Sequence, residues 1–164
     1  MLVASGATLA PVVLAACGTE EDEDVSPARE AELLNSVLAQ QLAVIDATRS
    51  ALSAGRQLVF RIQRARMDST RALEAAISDL GGTPTTEPAE LVGGESAAEG
   101  LARQLETSIA ASLDAIGELS PEQREPVHTA IVEDAGVLAE VRVVLGEDPA
   151  PDAFVMGPPA EEAA

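Results

Sequence analysis

Lysine, tryptophan and tyrosine are absent from this chain of 164 residues, and histidine and cysteine occur once each, as His128 and Cys17. The only aromatics are Phe60 and Phe154. Each shortage excludes something. One cysteine leaves no disulfide framework, and one histidine leaves no site built on several imidazoles. Without aromatic platforms for bases, and with a net charge of −18 that repels phosphate, nucleic acid is excluded as a partner. No segment alternates with period two, so no sheet is expected. Neither a glycine-rich phosphate loop nor a Gly-x-Ser-x-Gly elbow is present. What remains is 46% apolar, enough for one domain with a single core. All ten basic residues are arginine.

Residues 1–16 carry no charge and are mostly apolar. They are too few for a membrane-spanning helix, which needs about 20, and Gly6 and Pro11 weaken a helical reading. The stretch reads as a secretory leader and stays outside fold reasoning. It ends in Leu14-Ala15-Ala16-Cys17, a lipobox pattern: a branched residue, two small ones that let a signal peptidase approach the backbone, then the thiol that accepts a diacylglycerol. Such leaders open on Lys or Arg and this one opens Met1-Leu2-Val3, so Met1 is expected to be internal, with a basic start upstream. Acyl chains on Cys17 would anchor the protein stably, at about 0.8 kcal/mol per buried CH₂. Residues 17–25 include the acidic run Glu20-Glu21-Asp22-Glu23-Asp24. It reads as a solvated tether holding the domain off the bilayer, since it lacks the turn glycine and ligand spacing of a calcium loop.

The domain is expected over 26–146. Ser26-Pro27 supplies an N-cap and a first-turn proline. Leu34, Leu38, Gln41, Ile45, Thr48 and Leu52 then recur at spacings of three and four, the stripe of a core-facing helix. After Gly55 a second helix carries Ile62, Ala65, Ser69, Ala72, Ala76 and Leu80 as its expected stripe, and Gly81-Gly82-Thr83-Pro84 stops it. The glycine- and proline-rich stretch 81–94 is a loop. Extended, it reaches roughly 46 Å, against about 37 Å for a helix of about 25 residues, so it can run the length of a bundle. A third helix from about Glu95 to Gly117 has Leu101, Leu105, Ile109, Ser112, Ile116 and Leu119 in register. Ser120-Pro121-Glu122-Gln123 starts a fourth, with Val127, Ile131, Asp134, Leu138, Val141 and Leu145; Pro126 delays or kinks its first turn. Both second helices end in Leu-Gly, at Leu80-Gly81 and Leu145-Gly146, which suggests a duplicated hairpin. The expected fold class is all-α, a four-helix bundle of two helical hairpins joined by a long crossover loop, with a Pro/Ala/Glu-rich tail over 147–164.

Three segments carry a resemblance: Leu33-Leu34-Asn35 with 41–48, Arg71-Ala72-Leu73-Glu74-Ala75-Ala76 running into Leu80-Gly81-Gly82-Thr83-Pro84, and Leu145-Gly146-Glu147-Asp148-Pro149 with Pro151 and Phe154. Over 26–157 the chain resembles the ferritin-like family, in particular secreted or lipid-anchored actinobacterial members. The resemblance implies a di-metal centre with a Glu from the first helix of each hairpin and a Glu-x-x-His from the second. At the matching positions this chain has Gln41, then Met67 and Thr70, then Leu105 (or Glu106 one position on), then Asp134 and Val137. So few carboxylates, and no histidine, cannot neutralise or resolvate two metal ions. The metal-ligand positions are therefore expected to be degenerate, with no metal and no cofactor.

Three further features need weighing. His128 lies near the start of the fourth helix, away from any ligand position, and reads as a surface or partly buried residue. Asp134 sits on an apolar stripe, so if buried it needs a partner, which an arginine of the second helix would supply. Arg56, Arg61, Arg64, Arg66 and Arg71 place half the cations on that helix. They neutralise its acidic neighbours, or form a docking strip for an acidic partner or a lipid headgroup. The expected function is that of a lipid-anchored, extracytoplasmic binding or structural module of the cell envelope, not an enzyme, attached to the membrane through Cys17. Two alternatives stay open. One is a degenerate metal or redox protein using Glu106 and Asp134. The other is a small apolar ligand binder whose cavity is lined by Ala65, Ser69, Ala72, Ala76 and Ser112.

Overall fold

The computed structural model describes residues 25–51 and 56–149, with side chains in the second helix described at Ile62 and from Arg66 onward. The leader, Cys17, the acidic run, Leu52, Gly55 and the tail beyond Pro149 lie outside the described residues, as do the side chains of Arg56, Arg61, Arg64 and Ala65. Four helices make up the fold: α1 (Pro27–Ser50), α2 (Arg56–Asp79), α3 (Ala97–Glu118) and α4 (Arg124–Leu145). No strand occurs among the described residues. The protein is all-α, as the 3.6-residue periodicity requires.

Local chemistry sets the helix ends. The Ser26 hydroxyl accepts from the Arg29 N–H, with Pro27 at the first helical position. Ser96 and Glu99 form a reciprocal capping box at the start of α3. Ser120 makes no side-chain cap. Pro121–Gln123 instead form a 3₁₀ turn, and α4 begins at Arg124, the delay expected from Pro126. The orphan N–H of Ser120 donates to Glu30 of α1, at 2.8 Å, and this accounts for a carboxylate that is buried. Gly81 and Gly146 both adopt positive φ, 78° and 77°. At each, the glycine N–H and the next N–H return to carbonyls of the last helical turn: Ser78 and Ile77 for α2, Val143 and Arg142 for α4. The Leu-Gly repeat read in the sequence is thus the same left-handed helix stop used twice.

α1 packs against α2 and α3, and α4 packs against α3 and α2; the α2–α4 seam is the most open. α1 and α3 run antiparallel, since Arg29 pairs with Glu118 at 3.0 Å while Gln40 accepts from Gln104 at 3.1 Å. The apolar core is divided. One cluster is built on Leu34, Val37, Leu38, Leu73, Ile77, Leu119 and Val127. The other is built on Val44, Leu101, Leu105, Leu138 and Val141. Between α2 and α3 the chain is fastened to the bundle at three places. The Asn35 amide donates to the Thr83 carbonyl and accepts from the Thr85 N–H, Ala89 N–H donates to Ala39, and Val92 N–H donates to the buried Gln104. Gly82 is required where this segment leaves α2, because a Cβ there would lie 2.8 Å from that of Ala31.

Of the stripe expected for α2, Ile62 and Ser69 are buried as read, and beyond Ser69 the inward row is displaced by one residue. Ile62, Arg66, Ser69, Thr70, Leu73 and Ile77 are buried, whereas Ala72 is exposed and Ala76 and Leu80 are only half-buried. Both rows recur at helical intervals of three and four residues. A reading by hydrophobicity chose the row without an arginine, and the folded bundle buries the row that has one.

Candidate functional site

Between the two apolar clusters each helix contributes a polar side chain: Gln41 from α1, Arg66 from α2, Ser108 from α3 and Asp134 from α4. All four are buried; Arg66 is 1% exposed and the other three 0%. Arg66 Nη2 lies 2.5 Å from Asp134 Oδ1 as an ion pair. Arg66 Nη1 donates to Gln41 Oε1 at 2.5 Å. The Gln41 amide nitrogen donates to Asp134 Oδ2 at 3.0 Å and to Ser108 Oγ at 3.1 Å. Side chains of three helices therefore close a ring, and the fourth helix adds a hydroxyl to it.

The charges decide which way the Gln41 amide faces. Its oxygen meets the guanidinium and its NH₂ meets the carboxylate; the flipped amide would set donor against donor and acceptor against acceptor. Gln41 thus bridges cation and anion, so that removing any one member strands the others in a medium where an unpaired group is costly. The ring leaves some capacity unused. Among the described residues Arg66 Nε and Ser112 Oγ are buried with no hydrogen-bond partner. The backbone carbonyl of Arg66 accepts from the hydroxyls of both Ser69 and Thr70, which ties those side chains to their own helix.

The expected ligand positions fall unevenly on this geometry. Gln41 and Asp134 meet, and an arginine of the second helix does partner Asp134. Met67 is 52% exposed and points away from the core; Arg66 takes the inward place instead. Thr70 is buried and its hydroxyl donates to the Arg66 carbonyl. Leu105 and Val137 belong to the apolar cluster of Val44 and Leu138, and the α3 contribution to the layer comes from Ser108, one turn further on. Glu106 is half-exposed and accepts from Arg142 at 2.8 Å on the surface, so it is not a partner of Asp134. His128 is exposed. Ala72 and Ala76 line an open groove between α2 and α4 with Ser69, while Ser112 is buried in α3; among the described residues these small side chains do not enclose one cavity.

Sequence reasoning missed Arg66 as an individual, Ser108, Gln104 and Glu30. The signal for the first two was present in the rows Ile62-Arg66-Ser69-Leu73 and Leu101-Leu105-Ser108-Ser112, which keep helical spacing through polar residues. Nothing local marks Gln104 or Glu30, whose partners are distant in sequence.

One carboxylate, one amide, one hydroxyl and a fixed guanidinium do not make a metal centre. The single anion is already paired, and a metal ion beside Arg66 would be repelled. Among the described residues no group of three or more His, Cys, Asp or Glu is placed to hold a metal, and no helix is long and apolar enough to cross a membrane. Comparison with protein-family models, with curated proteins and with solved structures finds no match to this chain.

Proposed function

We propose that this protein is a lipid-anchored, extracytoplasmic helical bundle of ferritin-like type, in which a covalently held cation stands in the core where such a bundle would carry metal. It acts as a binding or structural module of the cell envelope, without catalysis. The observation that carries the reading is the Arg66 guanidinium, buried between Gln41 and Asp134 at the level where the resemblance puts metal ligands. A di-metal site needs anions directed at an empty centre; this layer directs its one anion at its own arginine. The layer then serves to lock four helices in register, with directional bonds that apolar side chains cannot supply.

The finer topology is part of the same proposal: two hairpins, α1–α2 and α3–α4, joined by a crossover that runs along the bundle. The contacts of the 82–95 segment with Asn35, Ala39 and Gln104 support it. The envelope location rests on Leu14-Ala15-Ala16-Cys17 and the acidic run after it.

Two measurements test the reading. Protein purified from cells should contain no stoichiometric metal; near-stoichiometric iron or manganese overturns the metal-free centre. Detergent partitioning should place the protein with the membrane and release it in Cys17→Ser; retention of that variant overturns the lipid anchor.

A further inference from the structure

The outer side of α4 carries an apolar stripe. Val132, Gly136, Ala139 and Val143 recur at spacings of four, three and four, so they share one helix face. Val132 is 57% exposed and Val143 61%; Gly136 is exposed and Ala139 half-buried. α3 widens the patch. Glu106, Ala110 and Leu113 also keep helical spacing, and the ion pair of Glu106 with Arg142 turns their row towards α4. The short turn between α3 and α4 makes the two helices antiparallel. The exposed Leu113 therefore lies beside the Val132 half of the stripe, and Ala110 beside its middle. Contiguous exposed apolar surface of this kind marks a contact site. Gly136 is a separate observation. Glycine is the poorest helix former after proline, yet it stands in the middle of α4, where an added Cβ would meet nothing within 4 Å. Packing among the described residues makes no use of the missing side chain, whereas a neighbour from outside the chain would.

We propose that this face is the two-fold interface of a homodimer, in which α4 crosses its copy antiparallel at Gly136 and Ala139. In a two-fold contact residue i meets j and j meets i, so a helix stripe at its centre must read alike in both directions. This one does: valine, small, small, valine, with symmetric spacing. The antiparallel register that sets Val132 against Val143 of the partner subunit also sets Gly136 against Ala139 of the partner subunit. Small side chains at the crossing let the two helices approach closely, and the valines close the contact on either side. An unrelated partner gives no reason for that symmetry. α3 and α4 together offer a face about 33 Å long and about 20 Å wide, at most about 650 Å² per copy, just under the about 800 Å² per side of a standard interface. The dimer is therefore a reversible one, of micromolar strength. Each copy carries a net charge of −18, so repulsion opposes association and added salt relieves it. The inference gives the binding or structural module a partner, but it stands on α3 and α4 alone and is separable from the metal and anchor measurements.

Sedimentation equilibrium of the full chain tests it, under reducing conditions that keep Cys17 from cross-linking two copies. The expected result is a monomer–dimer equilibrium that tightens with salt. Gly136→Leu fills the crossing and should weaken the dimer at least about tenfold. Its thermal midpoint at low concentration should stay at or above the parent's, because leucine is the better helix former and enters open space in the monomer. Val132→Glu should weaken the dimer by a similar factor. Adding Val143→Arg to that variant should restore most of the affinity, since the antiparallel register brings the opposite charges together. Adding Glu90→Gln instead, which changes the net charge equally but lies in the segment between α2 and α3, should not. A chain that stays monomeric at about 1 mM, a Gly136→Leu variant that dimerises as tightly as the parent, or a charge pair that regains nothing overturns the proposal. Dimers that appear only when 150–164 are deleted assign the face to the chain's own tail and overturn it as well.

Discussion

The cluster around Leu34, Leu38, Leu73 and Ile77 and the layer of Gln41, Arg66, Ser108 and Asp134 occupy neighbouring levels of one bundle and hold it by different physics. The cluster is held by burial of aliphatic surface, which is non-directional and tolerates sliding or repacking. The layer is held by charge and hydrogen-bond geometry. Its members stabilise only in one arrangement and penalise every other, because desolvating a guanidinium and a carboxylate costs several kcal/mol per ion unless they meet. The cluster accounts for collapse, and the layer for the alignment of the helices. A bundle with almost no aromatics has few large shapes with which to fix register by packing, and a buried polar layer fixes it another way.

The largest expected effect comes from breaking the layer on one side. Asp134→Ala strands the Arg66 guanidinium and should cost about 3–5 kcal/mol, read as a lowered urea midpoint. A loss below about 1 kcal/mol would mean that water reaches Arg66 and that the layer differs little from a surface pair. Leu38→Ala, in the apolar cluster, should cost about 2–5 kcal/mol, with the bundle still cooperative. Gly81→Ala forces a Cβ into the left-handed stop of α2 and should cost about 1–2 kcal/mol, measurable as a modest drop in the thermal midpoint. Smallest of all, Arg66→Met with Asp134→Leu removes both charges and should leave stability within about 1 kcal/mol of the parent, or above it. If the layer fixes register, this double variant stays stable while its amide hydrogen exchange or NMR dispersion shows loosened packing; unchanged dispersion would assign the layer no role in specificity.

The helices were legible in the sequence because capping and periodicity are local. Ser26-Pro27 and the Leu-Gly stops are found where the pattern puts them, and in α1, α3 and α4 the stripe residues Leu34, Leu38, Gln41, Thr48, Leu101, Leu105, Ser112, Leu119, Val127, Asp134, Leu138 and Val141 are buried, with Ile45, Ile109, Ile116, Ile131 and Leu145 half-buried beside them. The exception is α2. Its inward row contains Arg66, and hydrophobic periodicity counts a charged residue as outward. The competing row of Ala65, Ala72 and Ala76 looked apolar because alanine is small, and Ala72 and Ala76 in fact line the groove. The place of Asp134 on an apolar stripe calls for a buried partner, and the arginines of the second helix offer one. Which arginine supplied it, and that Gln41 would bridge the pair, depended on three helices coming together.

By itself, then, the chain determined its helical class, its helix ends and the poverty of its metal-ligand set, because each follows from residues a few positions apart. Only the tertiary structure decided that Arg66 lies inside and Met67 outside, that Ser108 rather than Leu105 joins the layer, and that Glu30 caps a turn beyond α3. Those outcomes depend on which face of a helix meets its neighbours. A charged side chain faces inward only when an opposite charge from another part of the chain makes its burial favourable, and that pairing exists only once the bundle has formed.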